Sequence, residues 1–471
     1  MSRLVHGFLV WLIVPGLCVA QTERLELGKR LRKFEAAWDA QTDAARRKAA
    51  VADLQKAVQS FFSFRLGEAG KALDEGRFTL TEKQKPSEEK RWAESLHARL
   101  SSHFLDTANP MLKLTLAEFY TTEIMPPEGA AVRLTVRKPD GMAMRPPTIV
   151  STPSLPQEAV IDLKNVPAGD YELLMEVLVG QTVFVQTPYA LSLADKLSDR
   201  LARLKDVSEK RTRDGSIETE TLRHLVTLLG DMAKDRAPET DYPCHRLLEE
   251  AERLAESTGE FYTGERSGQF WLALAVASRS AVVRLQVPEG LKKDNPVPLV
   301  VALHGAGGSE NLFFDGYGNG AVARLCKQRG WLLVAPRLGV GGANLSAVVE
   351  ELAKRYPVDR RRVFLVGHSM GAGQALAAVS ADPEKYAAVA ALGGGGAIRR
   401  NDEAIRKVPF FIGVGSEDFA LRGAQALRDS LTRAEVKTVE YKLYPDIEHL
   451  IIVQVALPDV FAFFDRIAKQ P

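Results

Sequence analysis

Apolar residues at Leu27, Leu31, Phe34 and Trp38, and again at Val51, Leu54, Val58 and Phe61, recur at steps of three and four. That period marks one face of an α-helix, so the chain predicts a mainly helical region over 21–115 with these stripes as its core. After Pro126 and Pro127 the period falls to two. Val132, Leu134 and Val136 alternate with Arg133, Thr135 and Arg137 before a Pro-Asp-Gly turn, and in "VIDLKNVPAGDYELLMEV" a second turn separates two more such runs. Alternation punctuated by turn chemistry predicts a small β-sandwich over 116–192.

From 193 to 270 leucines return to helical spacing in a charged background and predict a helical connector. Over 271–471 the apolar runs "PLVVALHG", "WLLVAP", "RRVFLVG", "AAVAALGG" and "VPFFIGVG" alternate with stretches of helix formers such as Ala321 to Arg329 and Met370 to Ser380. Strands that are apolar on both faces need cover on both sides. The expected class is therefore α/β: a C-terminal, mainly parallel sheet with helices on both faces, preceded by a helical region and the sandwich module.

Charge narrows the partners. With 62 basic and 60 acidic residues the formal charge is +2, which leaves no electrostatic footprint for nucleic acid. The first twenty residues place Arg3 before an apolar run from Phe8 to Val14, then Pro15-Gly16 and small residues up to Ala20, the layout of a secretory signal peptide. That run is too short to cross a bilayer, which takes roughly 20 residues, so an exported protein, periplasmic or secreted, without a transmembrane segment after cleavage is expected. Cleavage after residue 20 leaves Cys244 and Cys326, either as a disulfide or as two separate buried thiols. Neither has the companions of a metal site, and no motif asks for a metal or an organic cofactor.

Four features fall where strands of such a sheet end, which is where these sheets carry function. In "LVGHSMGAG" Ser369 stands between Gly367 and Gly371 at a strand-to-helix turn, and Cβ atoms on those glycines would meet neighbouring backbone. "LHGAGGSE" follows an earlier strand; its amide at Ala306 or Gly307, with that of Met370 after the serine, can hold an oxyanion. Asp418 in "GVGSEDFA" lies past a third strand and can orient an imidazole, with Glu417 beside it as a rival. His449 in "YPDIEHLII" is the only histidine after Asp418, and Asp446 in the same loop is a second candidate acid. The chain order serine, acid, histidine is that of an α/β-hydrolase triad.

The motifs "HGAGGSE", "VDRRRVFLVGHSMGAG", "VGSEDF" and "EHL" resemble the α/β-hydrolase superfamily, in particular exported esterases similar to polyhydroxybutyrate depolymerases and feruloyl esterases. The resemblance implies Ser369 as nucleophile, Asp418 as orienting acid, His449 as base, and Ala306 with Met370 as oxyanion amides. It implies a small-molecule or polymeric ester as substrate. The first 270 residues lie outside it, and no lid insertion interrupts the catalytic region. Phe313, Phe314 and Tyr317 in the loop after the oxyanion segment are candidates for a substrate pocket, although aromatic clusters more often pack a core. The sandwich is expected to dock a protein or polysaccharide or to act as a spacer. Two other readings stay open: a peptidase of the same fold, similar to prolyl oligopeptidases, and a binding or adhesion protein that keeps a hydrolase-like scaffold.

Overall fold

The computed structural model describes residues 17–234, 236, 240–276, 279–339 and 343–469. The expected leader over 1–20 therefore falls, up to residue 16, outside the described residues. The chain then forms α1 (Leu17–Ala40), α2 (Ala44–Phe62), α3 (Leu66–Thr81) and α4 (Glu88–Ser95). Asp43 starts α2 by accepting hydrogen bonds from the amides of Ala45 and Arg46, the role an N-cap carboxylate serves.

Helix stops short of the boundary expected at residue 115. Strands β1 (Leu96–Leu100), β2 (Phe104–Asp106) and β3 (Met111–Glu118) follow α4 directly. In β3 Leu112, Leu114 and Leu116 are buried and alternate with outward residues, so the period of two begins well before the Pro pair. With β4 (Ala130–Arg137), β5 (Thr148–Ser151), β6 (Gln157–Asp162), β7 (Gly169–Val179) and β8 (Thr182–Ala194) they make two sheets, ordered β1-β3-β6 and β2-β8-β7-β4-β5. Leu114 and Ile161 of the first meet Val132, Leu173 and Met175 of the second in one shared core, giving the sandwich. The connector is α5 (Leu197–Lys210), α6 (Ile217–Met232) and α7 (Cys244–Glu256).

The C-terminal region runs β9 (Gly268–Val276), β10 (Arg279–Val287), β11 (Val297–Leu303), α8 (Leu312–Asp315), α9 (Tyr317–Arg329), β12 (Leu332–Pro336), α10 (Leu345–Ala353) and β13 (Val358–His368). It continues with α11 (Met370–Ala381), β14 (Ala388–Leu392), α12 (Glu403–Lys407), β15 (Phe410–Gly415), α13 (Leu421–Arg433), β16 (Val439–Tyr444) and α14 (Ile452–Ala468). Its eight strands form one sheet in the order β16-β15-β14-β13-β11-β12-β10-β9, parallel from β16 to β12 and antiparallel over β10 and β9.

Successive strand residues serve opposite cores. Leu299, Val301, Leu303, Val363 and Leu365 belong to the core that also holds Leu222, Leu247 and Leu427. Val300, Ala302, Phe364 and Val366 belong to the other, with Phe461 and Phe464 of α14. Phe34 and Trp38 of α1 and Leu54 of α2 lie in this second core, so the N-terminal helices pack on the α/β sheet's own face. Polar groups fasten α1 on its other side. The buried Arg30 guanidinium is shared by Glu26 and Asp74, each at 3.0 Å, while Lys29 and Lys33 reach Pro188 and Thr187 of β8. Cys326 sits in the second core and Cys244 in the first, both as free buried thiols, which removes the disulfide alternative.

Candidate active site

Register brings the four motifs to one edge. Leu303 pairs with Gly367, His368 with Leu392, and Gly415 with Tyr444, so β11, β13, β14, β15 and β16 all deliver their carboxyl ends to the same side of the sheet. Ser369 leaves β13 at φ 54° and ψ −114°, a left-handed turn that costs a non-glycine residue strain and lifts its side chain off the sheet. The glycines around it are sterically required. A Cβ on Gly371 would stand 1.9 Å from the Leu303 carbonyl oxygen, and one on Gly367 would stand 2.3 Å from that of Gly371. Helix α11 starts at Met370 and sets its N-terminal amides beside the serine, where they favour negative charge.

Behind the serine lies a buried pair. His449 Nδ1 donates to Asp418 Oδ1 at 2.9 Å, and both side chains are almost wholly shielded from solvent. The same carboxylate oxygen accepts from the amide of Ala420, which fixes its position. With its proton on Nδ1, His449 keeps Nε2 free as an acceptor, and His449 and Ser369 line one pocket. The two rival acids are placed elsewhere: Asp446 is half-exposed and paired with Lys48 at 2.9 Å, and Glu417 is exposed. The His449 ring is held between two others, with His368 at 4.6 Å and Phe419 at 4.2 Å between centroids.

The segment Gly305 to Gly308, the candidate oxyanion segment, touches the Ser369 turn. A Cβ on Gly305 would lie 3.5 Å from that of Ser369, and Ala306 and Gly307 line the pocket. His368 ties this segment to His449. Its Nε2 donates to the His449 carbonyl oxygen at 3.0 Å, which leaves Nδ1 to accept from the Tyr317 hydroxyl at 2.7 Å. The amide of Gly305 donates to that hydroxyl at 3.4 Å. Burial, with His449 nearby, holds the His368 imidazole well below its ordinary value, so it stays neutral and the donor order is kept.

Of the three aromatic residues expected in the pocket, Tyr317 lines it and Phe313 and Phe314 do not. Phe313 is fully buried against Tyr317 in the second core, and Phe314 carries the Arg284 guanidinium on its ring. Short helix α8 turns both rings toward the sheet, because their apolar area is best removed from water there. What lines the pocket in their place comes from the other end of the chain: Leu27 and Leu31 of α1, Val58 and Phe61 of α2, and Leu73 of α3. The N-terminal helices thus supply one wall of the pocket. Periodicity marks these leucines and Phe61 as buried, but carries no signal of what they are buried against.

Two buried carboxyls flank the site. Burial, assisted by the Asp418 charge, pushes the Glu448 carboxyl from its ordinary 4.5 up to about 7, against the amide of Leu450 that donates to it. Glu35 of α1 is likewise pushed up to about 7 by burial. A folded chain holding a proton that the unfolded chain has lost becomes less stable as pH rises through that window, and the loss is complete above the folded value. Glu448→Gln lacks this loss, while the Glu35 share cancels in a comparison with wild type. Between pH 5 and pH 8 the variant is expected to gain about 2 kcal/mol relative to wild type in urea unfolding. A difference that stays constant with pH would count against a proton on Glu448.

Among the described residues no helix is long and apolar enough to cross a membrane, and no group of three or more His, Cys, Asp or Glu could hold a metal ion. The alpha/beta hydrolase family matches residues 300–463. Among curated proteins none matches the sequence. Several solved structures are similar to parts of this chain. A ferulic acid esterase is 18% identical, with 43% of this chain and 98% of that chain covered at a TM-score of 0.37. A Staphylococcus aureus fluorophosphonate-binding serine hydrolase, solved with substrate bound, is 15% identical over 42% of this chain and 98% of that chain, at 0.35. A thermostable esterase is 15% identical over 72% of this chain and 90% of that chain, at 0.38.

Proposed function

We propose that this protein, whose C-terminal region has the α/β-hydrolase fold, is an exported serine hydrolase that cleaves carboxylic esters. Ser369 Oγ attacks the ester carbonyl carbon while His449 Nε2 takes the hydroxyl proton, and the C–O bond to the alcohol breaks as the same imidazolium returns that proton to the leaving oxygen. Water then attacks the acyl carbon while His449 takes its proton, and the bond from that carbon to Ser369 Oγ breaks as the imidazolium returns the proton to Oγ, which releases the acid. Asp418 holds the imidazole in the tautomer that leaves Nε2 open and stabilises the imidazolium. The amides of Ala306 and Met370 carry the oxyanion. This chemistry draws on no metal or organic cofactor.

The observation that carries the reading is the buried His449–Asp418 hydrogen bond of 2.9 Å at a pocket that Ser369 also lines. Export rests on the leader-like composition of residues 1–20. The test is to treat protein beginning at Gln21 with a fluorophosphonate probe, map the label, and assay p-nitrophenyl acetate and a feruloyl ester alongside. One label per chain, on Ser369, together with turnover is expected. Folded protein that neither labels nor turns over either ester would sink the proposal.

A further inference from the structure

We infer that the N-terminal helices α1 to α3 are the acyl-binding half of this site, that the acyl groups they take are compact and apolar, and that Phe61 sets how long they can be. The inference rests on the serine hydrolase reading above and deepens it.

The floor and the roof of the pocket come from opposite ends of the chain. Ser369, His449 and the glycines of the oxyanion segment form the floor; Leu27 and Leu31, Val58 and Phe61, and Leu73 form the roof, each pair or residue from a different helix. Phe61 reaches the oxyanion segment. A Cβ on Gly307, at φ +79°, would stand 2.5 Å from Cζ of the Phe61 ring, so glycine there lets the ring close over the oxyanion amides. Three further contacts tie α2 to the floor loops. Lys48 pairs with Asp446 at 2.9 Å, Gln55 Nε2 donates to the Glu417 carbonyl oxygen at 3.3 Å, and Phe62 meets the edge of Phe419, whose ring lies on His449. On α1, Glu35 accepts from the amide of Gly318 and Asp39 from Gln454, which holds the roof helix to the α/β region.

The chemistry of two-step acyl transfer decides which half of the ester this roof covers. The alcohol must depart and water must enter before the second step, whereas the acyl group stays bonded to Ser369 throughout. A mainly apolar wall beside the nucleophile suits the part that stays. The cavity is about 150 Å³, about the volume at which an apolar cavity accepts a benzene-sized guest. Acetyl to butyryl groups or a single aromatic ring fill that space, and longer acyl chains extend beyond it.

The experiment varies the acyl chain at constant leaving group, from p-nitrophenyl acetate through butyrate to octanoate, in full-length mature protein and in Phe61→Ala. The octanoate-to-acetate ratio of kcat/KM is expected to rise about tenfold or more in Phe61→Ala, since each further buried methylene contributes roughly fourfold. Leu31→Ala opens the same pocket from α1 and is expected to shift the ratio in the same direction, which separates a change of pocket from damage to the end of α2. A parallel series of acetate esters with lengthening alcohols is expected to show no such shift. An unchanged acyl profile in both variants, or a shift confined to the alcohol series, overturns the inference while leaving the serine hydrolase reading intact. Wild-type protein without turnover or probe labelling overturns both.

Discussion

Ser369→Ala is expected to lower kcat/KM for p-nitrophenyl acetate by a factor on the order of 10⁵ to 10⁶. The substitution removes the oxygen proposed to attack the ester and little else. Alanine keeps the same backbone demand at φ 54°, the glycines that accommodate the turn are untouched, and the Ser369 amide still donates to the Leu392 carbonyl oxygen. The oxyanion amides also remain, so a small rate above that of water should persist through them. Steady-state kinetics with circular dichroism on the same sample checks this. Folded variant protein with activity within tenfold of wild type would assign the nucleophile to another residue.

The second large effect is expected for Asp418→Asn, a fall in kcat of about 10⁴-fold. The carboxylate accepts from His449 Nδ1 at 2.9 Å and so keeps the proton on that nitrogen. An amide at this position can present its NH₂ group instead, which moves the imidazole proton to Nε2, the atom proposed to take the serine proton. The Asp418 Oδ1 contact to the Ala420 amide is still available to the asparagine oxygen, so the turn is expected to hold. Asp446→Asn is the control. Its carboxylate is half-exposed and paired with an exposed lysine, a solvent-screened interaction of little weight, and kcat is expected to stay within about twofold of wild type. Equal losses in the two variants would mean that the acid has been misplaced.

Much of the floor of this site was legible along the chain because its constraints are local. A serine between glycines where an apolar run gives way to helix formers describes a turn whose crowding arises within a few residues and one neighbouring strand. The order of serine, acid and histidine could be read for the same reason, since each follows a strand. The choice among Glu417, Asp418 and Asp446 was less local. All three lie in loops after strands, and which of them meets His449 depends on the register of β15 against β16 and on the path of two loops. The first helical region ends before residue 115 because β1 follows α4 directly, with no Pro or Gly between them to mark the change of period. The place of Phe313 and Phe314 in the loop after Gly308 suggests a pocket, and packing turns them into the core.

By itself the sequence determined the period of each element, the α/β class, and the motifs whose chemistry is written in neighbouring residues. Tertiary structure decided what those elements are buried against. The stripe of Leu27, Leu31, Phe34 and Trp38 states that one face of α1 leaves water, and burial is non-directional, so the same stripe would suit any apolar partner. Only the docking of α1 to α3 over Gly305 to Gly308 makes two of those leucines a wall of the pocket and the other two residues part of the core. That docking depends on contacts such as Glu35 to Gly318 and Lys48 to Asp446, between groups hundreds of residues apart in sequence, and no period or spacing along one chain encodes them.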